Sequence, residues 1–226
     1  MRGSRLRPLF TIGVLTGGLL LATGAVIAQD KTFTIINDEA SVDDLIPELT
    51  SGGGAAEVEA ADVYPDAEAG AALRLEGVGG DFQRFNTQIS DWAFQIVDDP
   101  TAADEFRYIT FAWKKQGGTG MQLQVHGAPG DWGHRYHAGD NMQAWNPSIQ
   151  VTPDFPDDWQ IHTRDLFEDW GEFTLTGLAF SPSSLDFGIY DHVALHQSEV
   201  DPLTAQAVDP KGKSAAVWAE IKQDIR

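Results

Sequence analysis

Cysteine is absent from this 226-residue chain. No disulfide can staple the fold, and no thiolate can serve as nucleophile or metal ligand, so the core alone must hold the structure. Basic residues are scarce as well: 15 Lys and Arg face 34 Asp and Glu, a formal net charge of −19. Such a surface repels nucleic acid and anionic lipid and suits neutral ligands or cations. A polyanionic polysaccharide fits only where a local basic patch overrides the global field. The chain carries no G-x-S-x-G, no P-loop and no dinucleotide fingerprint. Paired carboxylates for glycoside hydrolysis cannot be singled out among so many acids.

Long apolar runs are lacking too, with one exception at the start. Arg2, Arg5 and Arg7 precede an uncharged stretch from Leu9 to Ile27 that ends in Val26-Ile27-Ala28. This is the layout of an export signal cleaved before Gln29, with an uncleaved membrane anchor as the competing assignment. Gly13, Gly17, Gly18 and Gly24 weaken the stretch as a helix and favour cleavage. The expected compartment is extracytoplasmic, periplasmic or secreted, with no stable membrane insertion once residues 1–28 are removed. What remains has 12 bases against the 34 acids, a charge of −22.

Residues 29–200 read as one all-β domain. Lys31 to Ile36 alternates and is expected to be a first strand; Asn37 to Leu49 is an acidic stretch containing Pro47. Ala55 to Ala60 and Ala71 to Val78 follow as strands, and Phe82 to Ile96 fits either a strand or irregular structure. Phe106 to Trp113 is a strand with Ile109, Phe111 and Trp113 on one face. Met121 to His126 returns with Met121, Leu123 and Val125 on one side and Gln122, Gln124 and His126 on the other. Arg135–Gly139, Ile149–Thr152, Trp159–Arg164, Phe173–Phe180 and Ile189–His196 complete the set, and Asp165 to Trp170 forms a single helical turn. Short strands with turn signals every ten or so residues predict an all-β, antiparallel β-sandwich rather than a doubly wound α/β fold. Residues 201–226 read as a linker and a short C-terminal helix, with Val217, Trp218, Ile221 and Ile225 on one stripe. That helix either packs on the sandwich or docks a protein partner.

Three stretches, taken in order, resemble the galactose-binding-like jelly roll of non-catalytic carbohydrate-binding modules. They are Gly70-Ala71-Ala72-Leu73-Arg74-Leu75, the aromatic strand Phe106 to Lys114, and the closing series Trp159 to Leu166, Leu175 to Phe180 and Tyr190-Asp191-His192-Val193-Ala194-Leu195. The resemblance covers most of residues 31–198. It implies sugar binding without chemistry, and a structural calcium held near the final strand. Asp191 matches the acid of that strand, and Asp38 and Glu39 are the carboxylates expected to reach it.

The segment Gly127 to Trp145 is the candidate binding loop. It mixes Trp132, Tyr136 and Trp145 with Asp131, His134, Arg135, Asp140 and Asn141. Flat aromatic faces stack on the C–H face of a pyranose while planar polar groups bond its hydroxyls. The residues expected to bind are Trp132, Arg135, Tyr136 and Trp145, with Gln122, Gln124 and His126 as the adjoining strand face. The competing assignment is that Trp132 and Trp145 plug the end of the sandwich. Trp92, Trp113, Trp159 and Trp170 are assigned to structure. His134 and His137 have zinc-like spacing, but alternation puts residues i and i+3 of a strand on opposite faces.

Two other functions compete. A jelly-roll polysaccharide lyase would use Gln124, His126, Arg135 and Tyr136 to neutralise a uronate carboxylate and move its α-proton. The Arg-x-Glu-x-Arg strand typical of such lyases is missing. A protein-binding scaffold of an extracytoplasmic complex would use the C-terminal helix.

Overall fold

The computed structural model describes residues 30–64, 70–78, 82–128, 131–141, 144–182, 186–201 and 203. The expected export signal and C-terminal helix lie outside these residues.

Thirteen strands and two short helices are assigned among them. β1 (Thr32–Ile36), α1 (Glu39–Glu48), β2 (Ala55–Glu59) and β3 (Ala72–Glu76) come first, then β4 (Arg84–Asn86), β5 (Phe94–Ile96) and β6 (Glu105–Phe106). The long strands β7 (Tyr108–Lys115) and β8 (Gly120–Ala128) come next, followed by β9 (His134–Gly139), β10 (Ile149–Thr152) and β11 (Gln160–Asp165). α2 (Leu166–Trp170) leads into β12 (Phe173–Ser181) and β13 (Phe187–His196).

The strands divide into two sheets. One has the order β11-β7-β13-β3-β2, with β1 also on β13; the other runs β10-β9-β8-β12-β5-β6, with β4 also on β12. Along the described strands the chain changes sheet six times, at β3–β4, β6–β7, β7–β8, β10–β11, β11–β12 and β12–β13, so the protein is an all-β sandwich. Pairing is antiparallel throughout except at β9–β10 and β5–β6, which are parallel. The expected antiparallel sandwich is thus observed, with parallel pairing at those two outlying pairs.

Period-two alternation sends one side of each strand into the core. Ile109, Phe111 and Trp113 from the first sheet meet Leu123, Tyr136 and Phe180 from the second, all with no exposure. Phe111 stacks on Tyr136 at 5.6 Å and Phe180 meets Tyr190 edge-on at 4.9 Å, so aromatic pairs bridge the sheets. Each such side chain contributes about 1.5–3 kcal/mol by leaving water. That is how a chain without disulfides stays folded.

The acidic stretch after β1 is helical, which the alternating pattern of its neighbours concealed. Asp38 caps α1: its carboxylate accepts the Ser41 N–H at 2.8 Å, and Ser41 Oγ accepts the Asp38 N–H at 3.0 Å. Val42, Leu45 and Leu49, at helical spacing, are buried against the core. Pro47 lies inside the helix, in its last turn, where it has no N–H to give the Asp43 carbonyl.

Candidate functional site

The site lies on the outer face of the second sheet. β8 directs Met121, Leu123 and Val125 inward, all buried, and so turns Gln122, Gln124 and His126 outward. Register then builds a row across four strands: Phe85 on β4 lies beside Ala179 on β12, Ala179 beside Gln124 on β8, and Gln124 beside Arg135 on β9.

The connection from β9 to β10 folds back over this face. It can turn there because Gly139 holds a φ of 64°, and a Cβ at that position would lie 2.3 Å from the Thr119 carbonyl oxygen. Asn141 then pins it: Gln122 Nε2 donates to Asn141 Oδ1 at 2.7 Å, and Asn141 Nδ2 donates to the Trp145 carbonyl at 2.9 Å. Trp145 consequently lies beside Arg135, whose guanidinium carbon is 5.7 Å from the centre of the indole ring. The same overlay buries Gln122 and Gln124, so these two are a supporting layer rather than an open floor.

A cleft of about 170 Å³ opens between the loops, lined by Gln83, Phe85, Trp132, Arg135 and Trp145. Three of the seven residues expected from the sequence therefore converge on one surface depression. Trp132 and Trp145 are both half-buried, neither sealed in the core nor fully exposed. Trp132 meets Phe85 at 5.7 Å and His126 at 5.0 Å, both near-perpendicular, so its ring is held by edges. His126 is itself fixed by a 2.8 Å hydrogen bond between its Nδ1 and Thr176 Oγ1. Burial lowers the His126 pKa from its ordinary 6.5, with Asp131 opposing the shift.

Arg135 is the charged centre of the cleft. Its Nε–H donates to Gln124 Oε1 at 2.7 Å and its Nη1 donates to the Pro147 carbonyl at 3.3 Å. Gln124 Nε2 donates in turn to Ser181 Oγ at 3.1 Å, and Ser181 Oγ donates to Gln83 Oε1 at 3.3 Å. A polar relay thus runs under the cleft from one wall to the other.

Tyr136 corrects the expectation placed on it. It has no exposed surface, stacks on Phe111, packs at a tilt against Trp170, and its hydroxyl donates to Asp169 Oδ2 at 2.7 Å. Burial and the nearby Asp169 hold its phenol well above the ordinary range. Alternation explains the error: Tyr136 follows Arg135, so the two cannot share a face. The lyase constellation is likewise not assembled, since Tyr136 points into the core and Gln124 and His126 point out. His134 and His137 part in the same way. His134 stacks on Phe173 at 4.1 Å, whereas His137 Nδ1 bonds Ser148 Oγ at 2.7 Å.

The carboxylates expected to hold calcium do not form a cage. Asp191 is buried, and its two oxygens accept the Tyr64 N–H at 2.7 Å and the His192 N–H at 2.6 Å. Burial raises its pKa to about 6 despite those hydrogen bonds, which disfavours the ionised form a cation needs. Asp38 spends its carboxylate on the α1 cap, and Glu39 faces solvent. Among the described residues no three His, Asp or Glu side chains converge as a metal-binding group. The donor set does not fit a hard cation that wants six or more oxygens.

Gln83 and Phe85 are cleft residues that sequence reasoning missed. The available signal was the alternation Gln83-Arg84-Phe85, hidden because β4 is only three residues long. Among the described residues, no helix is long and apolar enough to cross a membrane.

No protein-family model matches the chain, and no curated protein matches it. Two solved structures from Clostridium thermocellum overlap with it. One is a family 11 carbohydrate-binding module in complex with a β-1,3-1,4-mixed-linked tetrasaccharide: 12% identity, TM-score 0.34, covering 66% of this chain and 87% of that one. The other is the family 11 carbohydrate-binding module of the cellulosomal cellulase Lic26A-Cel5E: 11% identity, TM-score 0.31, covering 66% of this chain and 86% of that one.

Proposed function

We propose that this protein is an exported, non-catalytic carbohydrate-binding protein whose ligand lies in the cleft between Trp132, Arg135 and Trp145. The observation that carries this reading is the convergence of two half-buried indoles and one guanidinium on a single surface depression. An indole face covers the C–H side of a pyranose, and the planar donors of Arg135 and the Gln83 amide bond its hydroxyls. The cleft is smaller than the roughly 300–1,000 Å³ pockets that enclose a drug-sized ligand. It therefore suits one sugar ring, or one ring of a longer chain lying across the sheet. The network beneath fixes the polar groups before the ligand arrives, which lowers the ordering cost of binding.

The test is isothermal titration calorimetry of the full chain against a panel of oligosaccharides, repeated with Trp132→Ala and Trp145→Ala. Heat of binding with the parent protein, abolished in both folded variants, supports the proposal. Unaltered binding in both variants places the ligand elsewhere.

A further inference from the structure

Several cations of this surface are paired with carboxylates. Arg74 pairs with Glu57, Glu59 and Glu76; Arg107 pairs with Asp98 and Asp165; Arg164 pairs with Asp169; and Lys114 pairs with Asp62. In a chain with more than twice as many acids as bases, this is the expected fate of a cation. Arg135 differs. It ion-pairs with no carboxylate among the described residues, and both of its hydrogen-bond acceptors are neutral amide oxygens. Asp131, an exposed residue, is the acid whose field reaches it. The site thus keeps an un-neutralised guanidinium, half-buried, beneath an indole.

The geometry of its donors is specific. A guanidinium carries five N–H groups. Nε uses its one on Gln124 and Nη1 uses one on Pro147, which leaves the second Nη1 hydrogen and both Nη2 hydrogens. The end of the fork presents one hydrogen from each Nη, and a planar carboxylate is gripped there by two parallel bonds. Gln124 orients the fork from behind without spending its charge, which a Glu at that position would do.

We propose that the cleft selects an acidic sugar: a uronic acid residue whose carboxylate meets the Nη1–Nη2 edge of Arg135 while its ring lies against Trp132 or Trp145. This rests on the carbohydrate-binding reading above and names the substrate class of that same site. The overall negative charge does not forbid it, because distant charges are screened beyond about 8 Å at physiological ionic strength. Close to the cleft, the guanidinium and Asp131 set the field. The negative surface instead makes the interaction short-ranged, so affinity depends on the fork rather than on electrostatic steering.

The test is an array of neutral, uronate-bearing and sulfated glycans probed with the full chain, followed by calorimetry on the best uronate and its carboxyl-reduced counterpart. The expected result is at least about tenfold tighter binding of the uronate, the scale of a charge-assisted hydrogen-bond pair. That preference should vanish in Arg135→Gln and shrink in Arg135→Lys, which keeps the charge and loses the fork. Equal binding of neutral and acidic forms overturns this inference and leaves the carbohydrate reading standing. Tighter binding of sulfated glycans overturns the carboxylate assignment. An array without signal in any class overturns both.

Discussion

Gln124 Oε1 accepts the Nε–H of Arg135 at 2.7 Å across the β8–β9 pairing, while its Nε2 donates to Ser181 Oγ at 3.1 Å. A neutral side chain thus aims a cation without cancelling it. Gln124→Glu tests that distinction. The carboxylate would ion-pair with Arg135, and the Ser181 hydroxyl would turn from Gln83 to donate to it. We expect a folded protein whose affinity for a neutral sugar is kept and whose preference for a uronate falls about tenfold, measured by calorimetry with matched ligands.

Indoles in the cleft and in the core should respond oppositely to truncation. Trp132 is half-buried at the surface, whereas Trp113 is fully buried between the sheets. Trp113→Ala should cost about 3–5 kcal/mol in urea unfolding, the usual scale for deleting a core aromatic. Trp132→Ala should cost less than about 2 kcal/mol and lower sugar affinity at least about tenfold.

Tyr136→Phe separates the core from the site. The substitution removes the hydrogen bond to Asp169 but leaves the Arg164–Asp169 ion pair in place. A loss of about 1–3 kcal/mol in stability is expected, with sugar affinity unchanged. A tenfold loss of affinity would return Tyr136 to the site.

Acid should destabilise the protein through the half-buried imidazole of His162. His162 packs between Phe111 and Trp113 at about 5.5 Å, and its Nε2 has no hydrogen-bond partner among the described residues. Burial, with Arg164 adding to it, lowers its pKa from 6.5 to about 4. The folded state therefore binds this proton less readily than the unfolded chain, so its contribution is present above pH 6.5 and is lost as pH falls towards 4. Asp191, raised from 3.8 to about 6, acts in the opposite sense: its contribution is present below 3.8 and is lost as pH rises through 6. His162→Phe should consequently lose less stability between pH 7 and pH 4.5 than the parent protein, read from urea midpoints at the two values.

The sandwich was legible because long strands such as β7 and β8 alternate over eight or nine residues, which one buried face demands. α1 was not, because the alternation of its neighbouring strands concealed its short helical spacing; the Asp38–Ser41 cap was the missed signal. In the cleft, Trp132, Arg135 and Trp145 were legible from residue type alone. Tyr136 was misplaced by reading the loop as a composition instead of continuing the strand parity that His134 and Arg135 had already set. Gln83 and Phe85 come from a distant segment, and only the β4–β12 pairing brings them in.

The most direct measurement is the set of indole N–H resonances in a ¹H–¹⁵N spectrum recorded as an oligosaccharide is added. The sequence holds seven tryptophans, so the affected rings can be assigned by single substitutions. Trp132 and Trp145 should shift with a shared saturation curve while Trp113 stays fixed. Shifts confined to Trp92, which lines a separate groove beside α1, or saturable binding that leaves Trp132 and Trp145 unmoved, would contradict a ligand site on the outer face of the second sheet.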